Sequence, residues 1–204
     1  GNFIRFFNTT RNTVIIGGMK VAPGTIRTVV GGGLDGGENV PGRVADSGTV
    51  TGLAVSTNGE LLYYVDSIIA AVRVWNASNS SKTVNGATIG AGNVGTLSGS
   101  GFGNVLNGLA VHPTSGDVYV IDATPGTNKV KKIPAAGGAS TDFAGNGANT
   151  ARNDPLSNGV AATSVPLSQP RALTFDPAGN LYIADTGHGR IARVRVRPLE
   201  VPDK

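Results

Sequence analysis

The chain has 204 residues, of which 15% are charged and 39% hydrophobic, with 31 glycines and a formal net charge of +4. Cysteine is absent and the imidazoles are limited to His112 and His188, which excludes disulfides and thiolate chemistry and leaves little room for multi-histidine metal sites. The mild charge argues against a dedicated nucleic-acid binder, and no stretch approaches the ~20 apolar residues of a membrane-spanning helix.

Three segments along the chain share one pattern: an apolar run, a turn containing glycine, a second apolar run with tyrosine, and a closing aspartate. They span residues 52–66, 108–122 and 172–185. The runs are too short for helices, and the Asn-Gly pair at 58–59 is the strongest short-range hairpin signal. Each segment is therefore predicted to be a β-hairpin. The nearly continuous apolar runs favour strands that are covered on both faces.

Further strands are predicted after each hairpin. Third strands are expected at 71–75, 129–133 and 191–196, and fourth strands at either 84–89 or 94–97 and at 140–143. Four antiparallel strands repeated along a chain predict an all-β fold, the β-propeller with four-stranded antiparallel blades. The repeats are unevenly spaced, and the surplus length is assigned chiefly to the glycine-rich connections 31–50 and 145–170.

Residues 171–191 carry a resemblance to a known family. They read Arg-Ala-Leu-Thr-Phe-Asp-Pro-Ala-Gly-Asn-Leu-Tyr-Ile-Ala-Asp-Thr-Gly-His-Gly-Arg-Ile. This closely resembles an NHL repeat, in which an apolar strand, Asp-x-x-Gly-Asn, a second apolar strand, Ala-Asp and Asn-His/Asn-Arg-Ile follow one another. The chain departs from that pattern with Gly-His-Gly-Arg at 187–190. The stretch from 144 to 170 resembles the inter-blade linker of large bacterial extracellular NHL proteins.

The resemblance implies a single propeller segment over residues 1–204, with about three to four blades. In chain order the expected parts are the outer strands of an incomplete blade at 1–33, blades at 51–100 and 107–147, and an incomplete blade at 171–197. Closed propellers have roughly four to eight blades, so we expect a partial ring. It is completed either by further blades of a longer protein, which we favour, or by a second copy of the chain.

Antiparallel strands place two sets of loops at one end of the sheets. We call this end the loop face: it comprises the connections 31–50, 99–107 and 145–170 and the loops after the three closing aspartates. The candidate binding residues on it are Asp66, Asp122, Asp185, His188 and Arg190. The alternative, which the recurrence in every unit favours, is structural: an aspartate caps a turn by accepting backbone N–H bonds, and His188 is a surface histidine.

We expect a non-enzymatic binding or structural module of a secreted, surface or periplasmic bacterial protein. It would bind a protein or a glycan on the loop face, without a cofactor or a metal. Two alternatives stay open. NHL-like lyases use channel-facing histidines and a divalent metal, so the resemblance allows a metal-assisted lyase or hydrolase with its remaining ligands outside this chain. Some NHL domains bind RNA, and Arg193, Arg195 and Arg197 alternate along a predicted strand, but no aromatic residues interleave with them for base stacking.

Overall fold

The computed structural model describes residues 2–98, 101–148 and 159–195. The N-terminal region contains four strands: β1 (Ile4–Phe7), β2 (Val14–Ile16), β3 (Met19–Val21) and β4 (Ile26–Val30). Strands β1 and β4 pair antiparallel as the first sheet, and β2 and β3 form a separate hairpin, the first insertion hairpin. The region 1–33, expected to hold the outer strands of an incomplete blade, thus contains the paired strands β1 and β4, whereas the hairpin between them is absent from the sequence prediction.

The second sheet has five antiparallel strands. The strands of this region are β5 (Val40–Pro41), β6 (Val50–Val55), β7 (Leu61–Asp66), β8 (Ala71–Asn76), β9 (Lys82–Val84), β10 (Ala87–Ile89) and β11 (Asn93–Ser98). The order in the sheet is β5-β11-β8-β7-β6, and β9 and β10 form the second insertion hairpin. Of the two alternatives for the fourth strand, the one at 94–97 is confirmed. Part of the surplus length of this repeat lies in the second insertion hairpin, whereas the sequence prediction had assigned the surplus chiefly to the connections.

The third and fourth sheets follow the same up-and-down order. Their strands are β12 (Leu106–Val111), β13 (Val118–Asp122), β14 (Lys129–Ile133) and β15 (Thr141–Ala144), then β16 (Pro170–Phe175), β17 (Leu181–Asp185) and β18 (Arg190–Val194). Short 3-10 turns occupy Gly42–Val44, Ala162–Ser164 and Thr186–His188. Among the described residues, no helix is long and apolar enough to cross a membrane.

Three apolar cores lie between successive sheets. The strands inside the array are therefore covered on both faces. Along β7, Tyr64 packs into the core shared with the first sheet, whereas Tyr63 and Val65 pack into the core shared with the third. A third core joins the third and fourth sheets around Tyr119 and Leu181. This explains why β7 and β13 are apolar up to their closing aspartates and do not alternate. The stacked antiparallel sheets are of β-propeller type, as predicted.

The innermost strands β6, β12 and β16 lie side by side, and glycine allows the approach. A Cβ on Gly52 would lie 3.0 Å from the Cα of Gly108, and a Cβ on Gly108 would lie 3.0 Å from the carbonyl oxygen of Arg171. Any side chain at these two positions would push neighbouring sheets apart. The glycine that opens each of the first two repeat segments is therefore required by packing between sheets.

The two insertion hairpins are repeats of each other, 68 positions apart. Asn8 directly follows β1 and Asn76 ends β8, and both residues are fully buried. Asn76 Nδ2 donates to the carbonyls of Ser80 and Ile89, and its Oδ1 accepts from the N–H and hydroxyl of Ser78. Asn8 makes the equivalent bonds to its own turn and to Val21. One structural unit thus occurs twice.

Candidate functional site

Backbone hydrogen bonds join the two loop sets of the loop face in three sheets. The N–H of Ser67 donates to Thr49 at 3.0 Å, and the N–H of Ala123 donates to Val105 at 2.8 Å. In the fourth sheet the N–H of Gly187 donates to Ser168 at 2.8 Å. Each connection that enters an inner strand is therefore fixed to the loop between the second and third strands of the same sheet.

The three closing aspartates are buried beneath this face, with 3%, 1% and 0% of Asp66, Asp122 and Asp185 exposed. Each carboxylate accepts backbone N–H groups. Asp122 accepts from Gly103 at 2.8 Å and from Thr124 at 3.2 Å, and Asp185 accepts from Ser168 at 2.7 Å. These bonds are the ones that the turn-capping interpretation expects. The aspartates hold the loop face together, and a direct binding role for them stays a prediction.

Asp66 organises the loop that follows β7. Its Oδ1 accepts the N–H of Ile68 at 3.0 Å and that of Ile69 at 3.5 Å. Burial raises the pKa of Asp66 above its ordinary value, and these two N–H groups oppose the shift. Gly48, at φ +54°, lies against the same carboxylate, where a Cβ would come within 1.9 Å of Oδ1. Glycine at 48 is thus required for the carboxylate to reach the loop.

The structure brings Asp185, His188 and Arg190 into one cluster. Asp185 Oδ2 lies 2.7 Å from His188 Nδ1 and 2.8 Å from Arg190 Nε. Arg190 also donates from Nη2 to the carbonyl of Pro166 at 3.0 Å. The His188 side chain is 2% exposed, so the interpretation as a surface histidine is wrong: the side chain is packed into the cluster. Asp66 and Asp122 belong to other sheets, and the five candidate residues do not form one site.

Aliphatic side chains are exposed in the loops of this face, a feature that the sequence analysis missed. Ile68 is 71% exposed and Ile69 is 54% exposed, directly after Asp66. In the described part of the loop face, the other exposed aliphatic residues are Leu34, Val44, Val105 and Val160. The signal in the sequence is the Asp-Ser-Ile-Ile stretch at 66–69, where an apolar pair stands inside a turn and not inside a strand.

Arg73 is a second feature that the sequence analysis missed. It lies on β8 and is 1% exposed, and its Nη1 and Nη2 donate to the carbonyls of Gly36 and Gly37 at 3.3 and 3.0 Å. Within the described part of the chain, its Nε has no hydrogen-bond partner. Arg73 thereby ties the connection 31–50 to the second sheet. The signal was a cation inside an otherwise apolar strand.

The other sequence candidates lie away from the cluster. His112 sits in the turn at the opposite end of the third sheet, where its Nδ1 accepts the N–H groups of Thr114 and Ser115. Arg193 is exposed on β18, Arg195 is exposed directly after the end of that strand, and Arg197 lies outside the described residues. Among residues 2–98, 101–148 and 159–195, no three His, Asp or Glu side chains are grouped so that they could hold a metal ion.

Comparison with known proteins supports the fold. The NHL repeat model matches residues 167–193, which confirms the resemblance at this repeat. A structural genomics protein of unknown function from Bacteroides thetaiotaomicron superimposes with a TM-score of 0.50 and 22% identity, over 68% of this chain and 31% of that one. No curated protein sequence matches the chain.

Two further solved structures superimpose on this chain with lower TM-scores. A nidogen/laminin complex gives a TM-score of 0.49 and 17% identity, covering 85% of this chain and 54% of that one. A streptogramin B lyase gives 0.47 and 14%, covering 74% and 38%. The chain therefore spans about a third to a half of the length of the solved structures that it matches.

Proposed function

We propose that this chain, an array of antiparallel sheets that carries an NHL repeat at 167–193, is a protein-binding module that takes its partner on the loop face. The observation that carries the proposal is the exposed pair Ile68 and Ile69, whose backbone is fixed by Asp66. A rigid backbone that presents apolar side chains loses little entropy when a partner covers them. The buried aspartates act by positioning this loop.

The chemistry of the loop face favours a protein over a glycan or RNA. Its exposed apolar groups are aliphatic, which suit the apolar core of a protein interface. Base stacking uses a series of aromatic side chains. Among the described residues, the exposed aromatic beside this face is Phe3, which is 49% exposed, lies against Gly32 and carries Arg5 over its ring, so no row of stacking platforms is present there. We place the module in a secreted, surface or periplasmic protein, because its low charge and Gly-rich connections suit an extracellular interaction array.

The ends of the array support a further part of the proposal. Phe7 is 54% exposed on the first sheet and Ile191 is 75% exposed on the fourth. Apolar flanks of this kind are covered in a closed propeller, and we therefore propose that additional blades or a second copy complete the ring. The loop face would then extend over more sheets than this chain supplies.

The test compares two paired variants in a binding experiment. A partner enriched from the secreted fraction of the source organism is purified, and its affinity is measured by biolayer interferometry. The double variant Ile68→Ser/Ile69→Ser should bind about tenfold to hundredfold more weakly, because complete burial of one isoleucine contributes about 1.5–3 kcal/mol and a partner covers only part of each of these two side chains. The matched control is Ile26→Ser, at an isoleucine that is 56% exposed on the first sheet. Equal affinities for both variants would overturn the proposal.

A further inference from the structure

A cavity of about 330 Å³ lies at the end of the sheets opposite the loop face. One wall comes from the first sheet and its insertion hairpin, and the other from two turns of the second sheet. The first wall includes Phe6, Val14, Ile15 and Ile16, and the second includes Glu60 and Asn79. Its volume is at the lower end of the range for small-ligand pockets, about 300–1,000 Å³.

The two walls are held in place by the tip of the first insertion hairpin. The N–H of Gly17 donates to the carbonyl of Ala77 at 2.7 Å, and the N–H of Gly18 donates to Asn79 Oδ1 at 3.0 Å. Both glycines have positive φ, and a Cβ on Gly17 would lie 2.7 Å from the Trp75 ring. The cavity is therefore formed before any ligand arrives, which lowers the entropic cost of binding.

The first wall is apolar and open to solvent. Ile15 is 53% exposed, and Phe6, Val14 and Ile16 are half-buried beside it. Covering such a surface with an apolar group releases free energy in proportion to the area removed from water. The wall therefore selects a ligand group that is apolar.

The second wall offers one acceptor and one donor. Glu60 Oε2 accepts from Asn58 Nδ2 at 2.6 Å and from Lys82 Nζ at 2.9 Å. Within the described part of the chain, no hydrogen bond reaches Glu60 Oε1 or leaves Asn79 Nδ2. Because Lys82 already neutralises Glu60, the wall selects for hydrogen-bonding groups and not for net charge.

We propose that this cavity binds one apolar residue of an extended peptide. Its side chain would cover Ile15 and the half-buried residues of the apolar wall. A peptide group carries one N–H and one C=O, which match the free acceptor of Glu60 and the free donor of Asn79. The cavity lies at the other end of the sheets from Ile68 and Ile69, so this inference does not depend on the function proposed for the loop face.

The test is a titration of the whole ¹⁵N-labelled chain with N-acetyl-leucine N-methylamide, followed by amide NMR shifts. We expect saturable shifts at the N–H groups of residues 15–18 and 78–79. Ile15→Gln should reduce the affinity at least about fivefold, and Asn79→Asp, which keeps the Oδ1 acceptor and removes the Nδ2 donor, should reduce it by a similar factor. Ile26→Gln, at an equally exposed isoleucine outside the cavity, should bind as the unaltered chain does.

Three results would overturn the inference. They are the absence of saturable shifts at the cavity, equal binding by Ile15→Gln and Ile26→Gln, and equal binding of N-acetyl-serine N-methylamide, which lacks the apolar side chain. The amide spectrum of each variant reports its folding in the same experiment. A loss of binding therefore cannot be confused with a loss of structure.

Discussion

Asp117 shows how a single carboxylate acquires its role from its surroundings. It follows the Ser-Gly turn between β12 and β13, and its side chain is 13% exposed beside Lys132 Nζ at 2.7 Å. Burial alone would raise the pKa of Asp117. Hydrogen bonds from Lys132, the N–H of Ala135 and the hydroxyl of Ser115 outweigh burial and lower it below the ordinary value of 3.8. The charged form is thus favoured in the folded state.

Because the pKa of Asp117 is lower in the folded chain than in the unfolded chain, its stabilising contribution is present above pH 3.8 and is lost as pH falls through the folded pKa. We expect Asp117→Asn to lower the free energy of unfolding at pH 7 by about 1–2 kcal/mol, because charge-assisted bonds are lost. At pH 2.5, below the ordinary pKa of an aspartate, the difference should be smaller than at pH 7.

Urea unfolding at both pH values measures the effect. Lys132→Met is the partner control: it removes the main cation, so adding Asp117→Asn to it should cost less than the single change costs. A loss of stability that is the same at pH 2.5 and pH 7 would show that packing, and not ionisation, carries the effect.

Individual residues were predictable from sequence where their role is local. The aspartates at 66, 122 and 185 end strands and cap the adjacent turns, and both facts follow from short stretches of chain. Arg73 was not predictable in this way, because its partners are the carbonyls of Gly36 and Gly37 in a distant connection. His188 was misplaced for a related reason: the packing around Asp185 and Pro166 buries a side chain that its loop position suggested was exposed.

At the scale of elements, the hairpins were predicted and the insertion hairpins were not. A strand of three residues is too short to show an alternating or continuous apolar pattern. The Asn-Gly pair at 85–86 did signal a turn, but local pattern does not tell which strands a turn joins. The 68-residue repeat around Asn8 and Asn76 is the signal that would have found both hairpins, since the asparagine, the turn glycine and a later glycine recur in register.

The buried asparagine stabilises each insertion hairpin, and a paired substitution tests this. Asn76→Ala removes the donor to the carbonyls of Ser80 and Ile89 and the acceptor of the Ser78 N–H, although the Ser80 carbonyl keeps the bond from the Ser78 hydroxyl. We expect a loss of about 2–4 kcal/mol in the free energy of unfolding, because a fully buried side chain and its hydrogen bonds to three residues of the hairpin are lost together. Asn79→Ala, three residues along, should cost less than about 1 kcal/mol, since its side chain is exposed and accepts one hydrogen bond.

Chemical unfolding of the two variants, followed by circular dichroism, gives the comparison. If Asn76→Ala and Asn79→Ala are equally stable, the buried network contributes nothing beyond an ordinary turn. Asn8→Ala should behave like Asn76→Ala, because the two networks have the same pattern of hydrogen bonds.

At the scale of the whole molecule, position in the array determines how well each sheet is covered. Trp75 on the second sheet is 2% exposed because the first sheet and its hairpin cover it, whereas Phe7, the equivalent residue 68 positions earlier, is 54% exposed. The sequence predicts stacked sheets, since β7 and β13, the second strands of the two hairpins at 52–66 and 108–122, are apolar on both faces. It does not predict which faces stay open, because that depends on what lies beside each sheet.

This difference in cover predicts a gradient of local stability. In an array where each unit contacts its neighbours alone, the sheets with two neighbours open least often. We expect the amides of β7, β8, β13 and β14 to exchange with deuterium at least about tenfold more slowly than those of β1 and β18. Hydrogen exchange in the intact chain, read segment by segment by mass spectrometry, measures this difference. Uniform protection in all four sheets would contradict the gradient, because it would mean that the array opens as one unit. Protection of β1 and β18 that rises with protein concentration would instead show that a second copy covers the flanks on which Phe7 and Ile191 lie.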